Sequence, residues 1–248
     1  MSADLDNALA ELQRAIDYRF ADHDRLLHAL THSSYPADSK TDTPHNERLE
    51  FLGDAVLGLV AARALFDALP GCPEGRLTKV KARLVSAANL EIVARGIPLG
   101  KCLRLGRAEE VSGGREKKGL LVDALEALIA AIYLDGGLAP AARFIQARII
   151  TPESIAATDS NLDADNAKSA LQELLQRRGE PLPSYRVAEE IGPPHQRLFR
   201  VEIAIADRFR AQAEASTKKE AEQRAALEAL NRRDDWLPAD ATDQESRA

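Results

Sequence analysis

The chain has 248 residues, which at roughly 150 residues per domain gives one to two domains and room for a sizeable core. With 45% hydrophobic and 29% charged residues it is compositionally an ordinary globular protein, which excludes collagen-like, disordered and mucin-like chains. Two cysteines, Cys72 and Cys102, build no disulfide framework or zinc cluster, and a net charge of −6 argues against nucleic-acid binding unless the charge is segregated.

The segment Met1 to Asp6 lacks the basic start and apolar run of a secretory signal. No stretch reaches the roughly 20 uncharged apolar residues that cross a bilayer, so a cytoplasmic protein without a membrane partner is expected. Residues 1–150 are predicted to form an all-α domain, with apolar residues at helical spacing over Leu5 to Ile16, Asp24 to Leu30, Asn46 to Leu69, Glu74 to Gly96, Leu120 to Leu134 and Pro140 to Ile150. Breaks are expected at Pro36, Pro44, Pro70-Gly71, Gly113-Gly114 and Gly136-Gly137. Residues 151–165 are small and acidic without sustained periodicity and read as a linker.

From 166 to 233 the pattern changes to a small α+β domain of order α-β-β-β-α. Leu171, Leu174 and Leu175 mark a helix ending at Gly179, with Pro181 and Pro183 beyond it. Period two follows in Tyr185 and Val187, in Phe199, Val201, Ile203 and Ile205, and in Phe209 and Ala211. Thr217-Lys218-Lys219-Glu220 has the capping-box pattern and opens a closing helix to about Leu230. Residues 234–248 read as a polar, frayed tail.

Chemistry enters with two groups of acids. Glu47, Glu50 and Asp54 stand at i, i+3 and i+7 and share one helix face, while the neighbouring cation Arg48 falls on another. The helix Leu120 to Leu134 is apolar all round except for Asp123 and Glu126, so it belongs in a core. Buried carboxylates cost several kcal/mol each unless a cation or strong donors compensate. One reading is a pair of buried salt bridges or helix-end acids. The other is a four-carboxylate cage for hard divalent cations, Mg²⁺ or Mn²⁺, which suits phosphodiester chemistry with substrate phosphates as further ligands.

The charge is segregated: residues 166–233 hold 13 Lys and Arg against 10 Asp and Glu, a net +3, leaving −9 for the rest. Lys218 and Lys219 sit at a helix N-terminus, where the macrodipole disfavours cations, so an anion is expected there. Lys168, Gln172 and Gln176, with Glu173 beside them, line a polar face that taken alone fits solvated surface, and the His195 loop is equally ambiguous. With only 4% aromatic residues, stacking platforms for single strands are not available. Recognition of double-stranded RNA by shape needs none.

These residues resemble the bacterial ribonuclease III family over nearly the whole chain. The resemblance is carried by Asn46 to Gly58, Ala29 to Tyr35, Leu84-Val85-Ser86, Ser112-Gly113-Gly114, Asp123 to Leu128 and Tyr133 to Gly137. The C-terminal part resembles a double-stranded-RNA-binding domain through Leu171 to Glu173, Pro181 to Tyr185, His195, Phe199 to Val201 and Lys218 to Gln223.

The resemblance implies a Mg²⁺-dependent endoribonuclease, with Mn²⁺ as a substitute ion. It would leave 5′-phosphate and 3′-hydroxyl ends with short 3′ overhangs and process ribosomal and messenger RNA precursors. It implies that Glu50, Asp54, Asp123 and Glu126 surround the metals, with Asp54 and Glu126 catalytic. Glu47 would support catalysis from the subunit junction, and Phe51 would pack into the partner of a homodimer. Gln172, Glu173 and His195 would touch minor grooves, and Lys218 and Lys219 phosphates. No small-molecule cofactor beyond the metal is implied.

Departures from the family pattern are Gly119, Val122, Ala130, and Ala213-Glu214-Ala215 where Gly-x-Gly is frequent. Two rival functions stay open: a double-stranded-RNA-binding regulator that does not cut, and a hydrolase of another phosphate ester whose C-terminal domain binds a protein.

Overall fold

A computed structural model describes residues 3–39, 43–193 and 196–237. The chain divides into two compact units, Met1–Thr158 and Asp159–Ala248. The first is all-helical: α1 (Ala3–Ala15), α2 (His23–Ala29), α3 (Ser34–Ser39), α4 (Glu47–Ala68), α5 (Glu74–Leu84), α6 (Ala87–Arg95), α7 (Leu99–Cys102), α8 (Arg107–Val111), α9 (Lys118–Gly136) and α10 (Leu138–Arg148). A further helix, α11 (Pro152–Arg177), contains the division between the units.

The axis of the first unit is α9, whose residues Leu121, Val122, Ala124, Leu125 and Ala127 to Ile132 are all buried. Helices α2, α4, α6 and α10 pack around it. A helix that is apolar on every side is stable only as such a centre. It ends where Gly137 adopts φ +86°, a backbone conformation that a Cβ would strain. Asp135, at its last turn, is nearly buried and accepts hydrogen bonds from the Tyr18 hydroxyl (2.7 Å) and from the backbone N–H groups of Ala21 and Asp22.

Three local expectations change. The stretch Glu74 to Gly96 is two helices, because Ser86 accepts the Asn89 N–H as an N-cap while the Asn89 side chain donates to the Leu84 carbonyl at 2.7 Å. Pro36 falls inside α3 rather than at a break, within a first turn that needs no N–H from it. The stretch 151–165 is not irregular: α11 runs through it, started by Thr151, whose Oγ1 accepts the Ser154 N–H, and held by the buried Ile155 and Leu162. Sparse apolar anchors with a cap outweigh the poor helix propensity of Asp, Ser and Asn.

The second unit is an antiparallel sheet of order β1 (Ser184–Ile191), β2 (Leu198–Ile205) and β3 (Phe209–Ala215), followed by α12 (Lys218–Asn231) and α13 (Arg233–Trp236). Gly179 ends α11 at φ +66°, and the Thr217 side chain accepts the Glu220 N–H to open α12. Ala167, Leu171 and Leu175 of α11, Ile203, Ile205 and Phe209 of the sheet, and Ala225, Ala226 and Ala229 of α12 form one core. Both helices therefore cover one face of the sheet.

The expected frayed tail begins too early. Trp236 is buried against Phe209, ring centroids 5.8 Å apart, and its indole N–H donates to the Ala229 carbonyl at 2.8 Å. One indole that buries its body and satisfies its N–H, with Leu237 beside it on the same core, fastens this end of the domain. Positions 238–248 lie outside the described residues.

Candidate active site and duplex-binding surface

Two helices position the acids of the first unit. On α4, Leu49, Gly53, Val56, Leu57 and Val60 face inward, which leaves Glu50 half-buried and Glu47, Asp54 and Phe51 exposed. On α9, Asp123 and Glu126 are the half-buried members of an otherwise buried stretch. The helices meet at Gly53: a Cβ built there would lie 1.8 Å from the Glu126 carbonyl oxygen. Only glycine permits this approach, and it brings the flanking Glu50 and Asp54 into the field of Asp123 and Glu126.

The electrostatics record this convergence. Burial is the largest cause pushing the Glu126 carboxyl up to about 7, and Asp54, Glu50 and Asp123 add like-charge repulsion. Glu50 is raised by burial and then by Asp123, Glu47 and Asp54. Asp123 is raised by burial, with His32 pulling the other way. Among the described residues no Lys or Arg forms an ion pair with any of these four acids, so the salt-bridge reading finds no partner.

The side chains also stand apart: among the described residues, no three His, Cys, Asp or Glu groups are close enough together to hold a metal ion. By donor chemistry the set still fits a hard divalent cation. It is all-oxygen, partly desolvated, mutually repelling and, among the described residues, without a paired Lys or Arg.

Two further residues bear on this site. His45 Nδ1 lies 3.7 Å from the Glu47 carboxylate at the start of α4. His32 has its ring fixed by Ser34, whose N–H donates to Nδ1 at 3.2 Å and whose hydroxyl lies 2.9 Å from the same nitrogen. Because Nδ1 accepts, the proton of the neutral ring sits on Nε2. In the sequence His32 stands out only as part of a family motif, since a single histidine in a loop carries no spacing signal. Gly53 carries only a weak one: a glycine inside a helix costs about 1 kcal/mol, but Gly58 of the same helix has open space around it.

In the second unit, Leu171 and Leu175 are buried and Gln172, Glu173 and Gln176 are exposed, so the polar face of α11 is open. Lys168 is not part of a free stripe. Its Nζ pairs with Glu222 at 2.7 Å and lies 4.4 Å from the Tyr185 ring centroid. Lys218 and Lys219 are both exposed on the first turn of α12. Lys218 pairs with Glu190 at 3.0 Å, and among the described residues Lys219 has no ion-pair partner. His195 lies outside the described residues.

The alanines that replace the usual glycines are packed: Ala215 is buried with Val201 and Ala221, and Ala213 lies against the main core. On the other face of the sheet, Arg200 is bound between Glu189 and Glu214.

An all-helical unit that concentrates unpaired acids where two helices touch, followed by an α-β-β-β-α unit with basic residues at a helix start, defines a nuclease fold joined to a duplex-RNA-binding fold. Residues 22–153 match the Ribonuclease-III-like family, and residues 167–233 match the double-stranded RNA binding motif. Curated relatives named Ribonuclease 3 include that of Solibacter usitatus, 49% identical and covering 88% of this chain and 84% of its own. That of Magnetococcus marinus is 43% identical, covering 90% and 92%.

The nuclease domain of ribonuclease III from Campylobacter jejuni superposes with a TM-score of 0.53 at 39% identity, covering 58% of this chain and 99% of that one. In that nuclease domain a region involved in dimer formation is structurally flexible. The chain belongs to the ribonuclease III family and is an endoribonuclease with a double-stranded-RNA-binding domain.

Proposed function

We propose that this endoribonuclease hydrolyses phosphodiester bonds within double-stranded RNA in a divalent-metal-dependent reaction. Its products would carry 5′-phosphate and 3′-hydroxyl ends with short 3′ overhangs, and its substrates would be ribosomal and messenger RNA precursors in the cytoplasm. The observation that supports this most is the Gly53 crossing, where the half-buried Glu50, Asp123 and Glu126 stand beside the exposed Asp54 and, among the described residues, no Lys or Arg pairs with them.

In this reading Glu50, Asp54, Asp123 and Glu126 hold Mg²⁺, or Mn²⁺ in its place. When bound, the ion supplies Lewis acidity toward the phosphodiester. The chain's own work is to hold the acids on rigid helices and to keep water partly out, and Glu126 gives its proton to solvent as the ion binds. Burial and the neighbouring Asp54, Glu50 and Asp123 raise that carboxyl to about 7 in the metal-free protein, so ion binding near neutral pH competes with a proton. Asp54 and Glu126 are the residues assigned to catalysis, and Glu47 supports them.

The active unit is proposed to be a homodimer. Phe51 is 81% exposed on the same helix as Glu50 and Asp54, and Leu59 and Phe66 of that helix are also exposed. Large aromatic side chains left in water on a rigid helix are natural anchors of an interface. In the second domain Gln172, Glu173 and His195 are assigned to minor-groove contacts, and Lys218 and Lys219 to phosphates across the intervening major groove.

Incubating the protein with a duplex and with a single strand of the same sequence, with and without Mg²⁺, tests this function. Cleavage confined to the duplex with Mg²⁺ is the expected result. Binding without cleavage would favour the regulator reading, and cleavage without the ion would remove the metal assignment.

A further inference from the structure

Lys218 and Lys219 are adjacent in sequence but not equivalent. Lys219 has no ion-pair partner among the described residues, whereas Lys218 Nζ lies 3.0 Å from Glu190 Oε1 and 5.2 Å from the centroid of the Phe199 ring. The other oxygen of Glu190 meets Arg197 Nη1 at 3.0 Å.

Sheet register builds this contact. Glu190 is paired with Phe199, and Phe199 with Ala215, three residues before Lys218. Directly opposite residues in an antiparallel pair project from the same face, and Phe199 packs on the helix-covered side with Val201, Ala215 and Ala221. Glu190 therefore projects toward the helix side as well.

An irregularity between Val187 and Glu189 decides which acid takes that place. The extra residue sets Glu189 opposite Arg200, where it joins the ion pairs of the other face, and hands the position opposite Phe199 to Glu190. One residue of register thus separates an acid that neutralises an arginine from an acid that reaches the start of α12.

Building on the proposed assignment of both lysines to RNA phosphates, we infer that Glu190 occupies Lys218 in the free protein, so that a phosphate reaches this lysine only by displacing a carboxylate, while Lys219 is available from the outset. The displaced Glu190 keeps Arg197, so opening the contact leaves no acid without a partner. Glu190 is in this way an affinity-setting residue. It weakens the first phosphate contact and makes firm binding depend on the rest of the duplex footprint.

The test uses the full chain and a synthetic duplex RNA in EDTA, with binding followed by fluorescence anisotropy across a salt series. Glu190→Gln is expected to tighten binding about two- to fivefold at low salt, the range set by one exposed ion pair. It should also steepen the dependence of log affinity on log salt, because Lys218 then binds phosphate without exchanging one anion for another. Glu214→Gln, the same charge change on an acid that pairs with Arg200, should give less than half this gain. In a Lys218→Ala background, Glu190→Gln should do no more than Glu214→Gln.

Equal gains from the two single variants, or the full Glu190→Gln gain without Lys218, would overturn the inference while leaving duplex binding intact. A wild-type protein that binds the duplex no better than a single strand would overturn the underlying phosphate assignment together with it.

Discussion

The two domains treat their acids in opposite ways. Where α4 and α9 cross, Glu50, Asp123 and Glu126 are partly buried among one another, and no cation of the described chain pairs with them. On the sheet of the second domain nearly every acid has a basic neighbour: Glu189 and Glu214 with Arg200, Glu190 with Arg197 and Lys218, and Glu202 with Arg186. Uncompensated acids in a half-dry setting raise the free energy of the empty site and attract an external cation. Compensated acids on a wet surface contribute little stability and set how readily a lysine exchanges its partner. The first arrangement suits chemistry on a phosphodiester, the second reversible binding of a polyanion.

The sharpest way to break the contrast is to remove a charge from the uncompensated set. Glu126→Gln keeps the side-chain volume, and its expected effect is a loss of duplex cleavage of at least about 100-fold, more than changes outside the ligand shell of a metal site usually cost. Duplex binding in EDTA should stay within about twofold of wild type, since the double-stranded RNA binding motif lies in the other domain. Single-turnover cleavage and anisotropy on the same preparation check both halves. Cleavage near the wild-type rate at saturating Mg²⁺ would remove Glu126 from the site.

A smaller effect is expected at the exposed face of α4. Phe51→Ala should weaken self-association by about 2 kcal/mol or more, roughly thirtyfold in the dimer dissociation constant, as for an interface anchor. Sedimentation over a concentration series measures this, and an unchanged monomer–dimer balance would take Phe51 out of the interface.

Lys219→Ala sharpens the other side of the comparison. Having no internal partner to exchange, it should weaken binding about three- to tenfold and nearly equally for duplexes of different sequence, with the salt slope reduced by about one. A sequence-dependent loss in the same titrations would reassign this lysine to base contacts.

The smallest effect is on stability. Glu126 has its carboxyl raised from the usual carboxylate range to about 7, so between about 4.5 and 7 the folded protein holds a proton that the unfolded chain has lost. Stability of the metal-free protein therefore falls as pH rises through that window. In Glu126→Gln this part of the slope is absent. After discounting for a half-exposed group the difference at pH 8 is about 1 kcal/mol, or about 2–4 °C in Tm in favour of the variant. Parallel melting curves for the two proteins across pH would contradict it.

Much of this was legible in the sequence, for physical reasons that differ between elements. The all-round apolar pattern around Asp123 and Glu126 announces a buried helix, and a period of two announces β1 to β3. Cap chemistry at Thr217 and the glycine at 179 fix their helix ends. Tertiary contact was less legible. The course of α11 through 151–165 depends on two isolated apolar anchors, Ile155 and Leu162, too sparse for periodicity to reveal. Trp236 and Leu237 are placed by packing on the core beside Phe209, which the charged residues before them conceal. The spacing of the acids is plain within each helix, but the contact between the helices is not, since Gly53 at the contact and Gly58 in open space look alike in sequence. The partner of Lys218 depends on a one-residue irregularity in β1 that the alternation of side chains does not show.

Direct measurement of Mn²⁺ binding tests the central claim most closely, because it reads the carboxylate set without requiring turnover. Titrated by electron paramagnetic resonance with wild type and Glu126→Gln, the ion should bind wild type at least about tenfold more tightly than the variant, as expected for loss of a charged ligand. Binding to wild type should also strengthen as pH rises through about 7 and Glu126 gives up its proton. Equal affinity for the two proteins, with no dependence on pH across that range, would contradict the account of the α4–α9 crossing as a metal site.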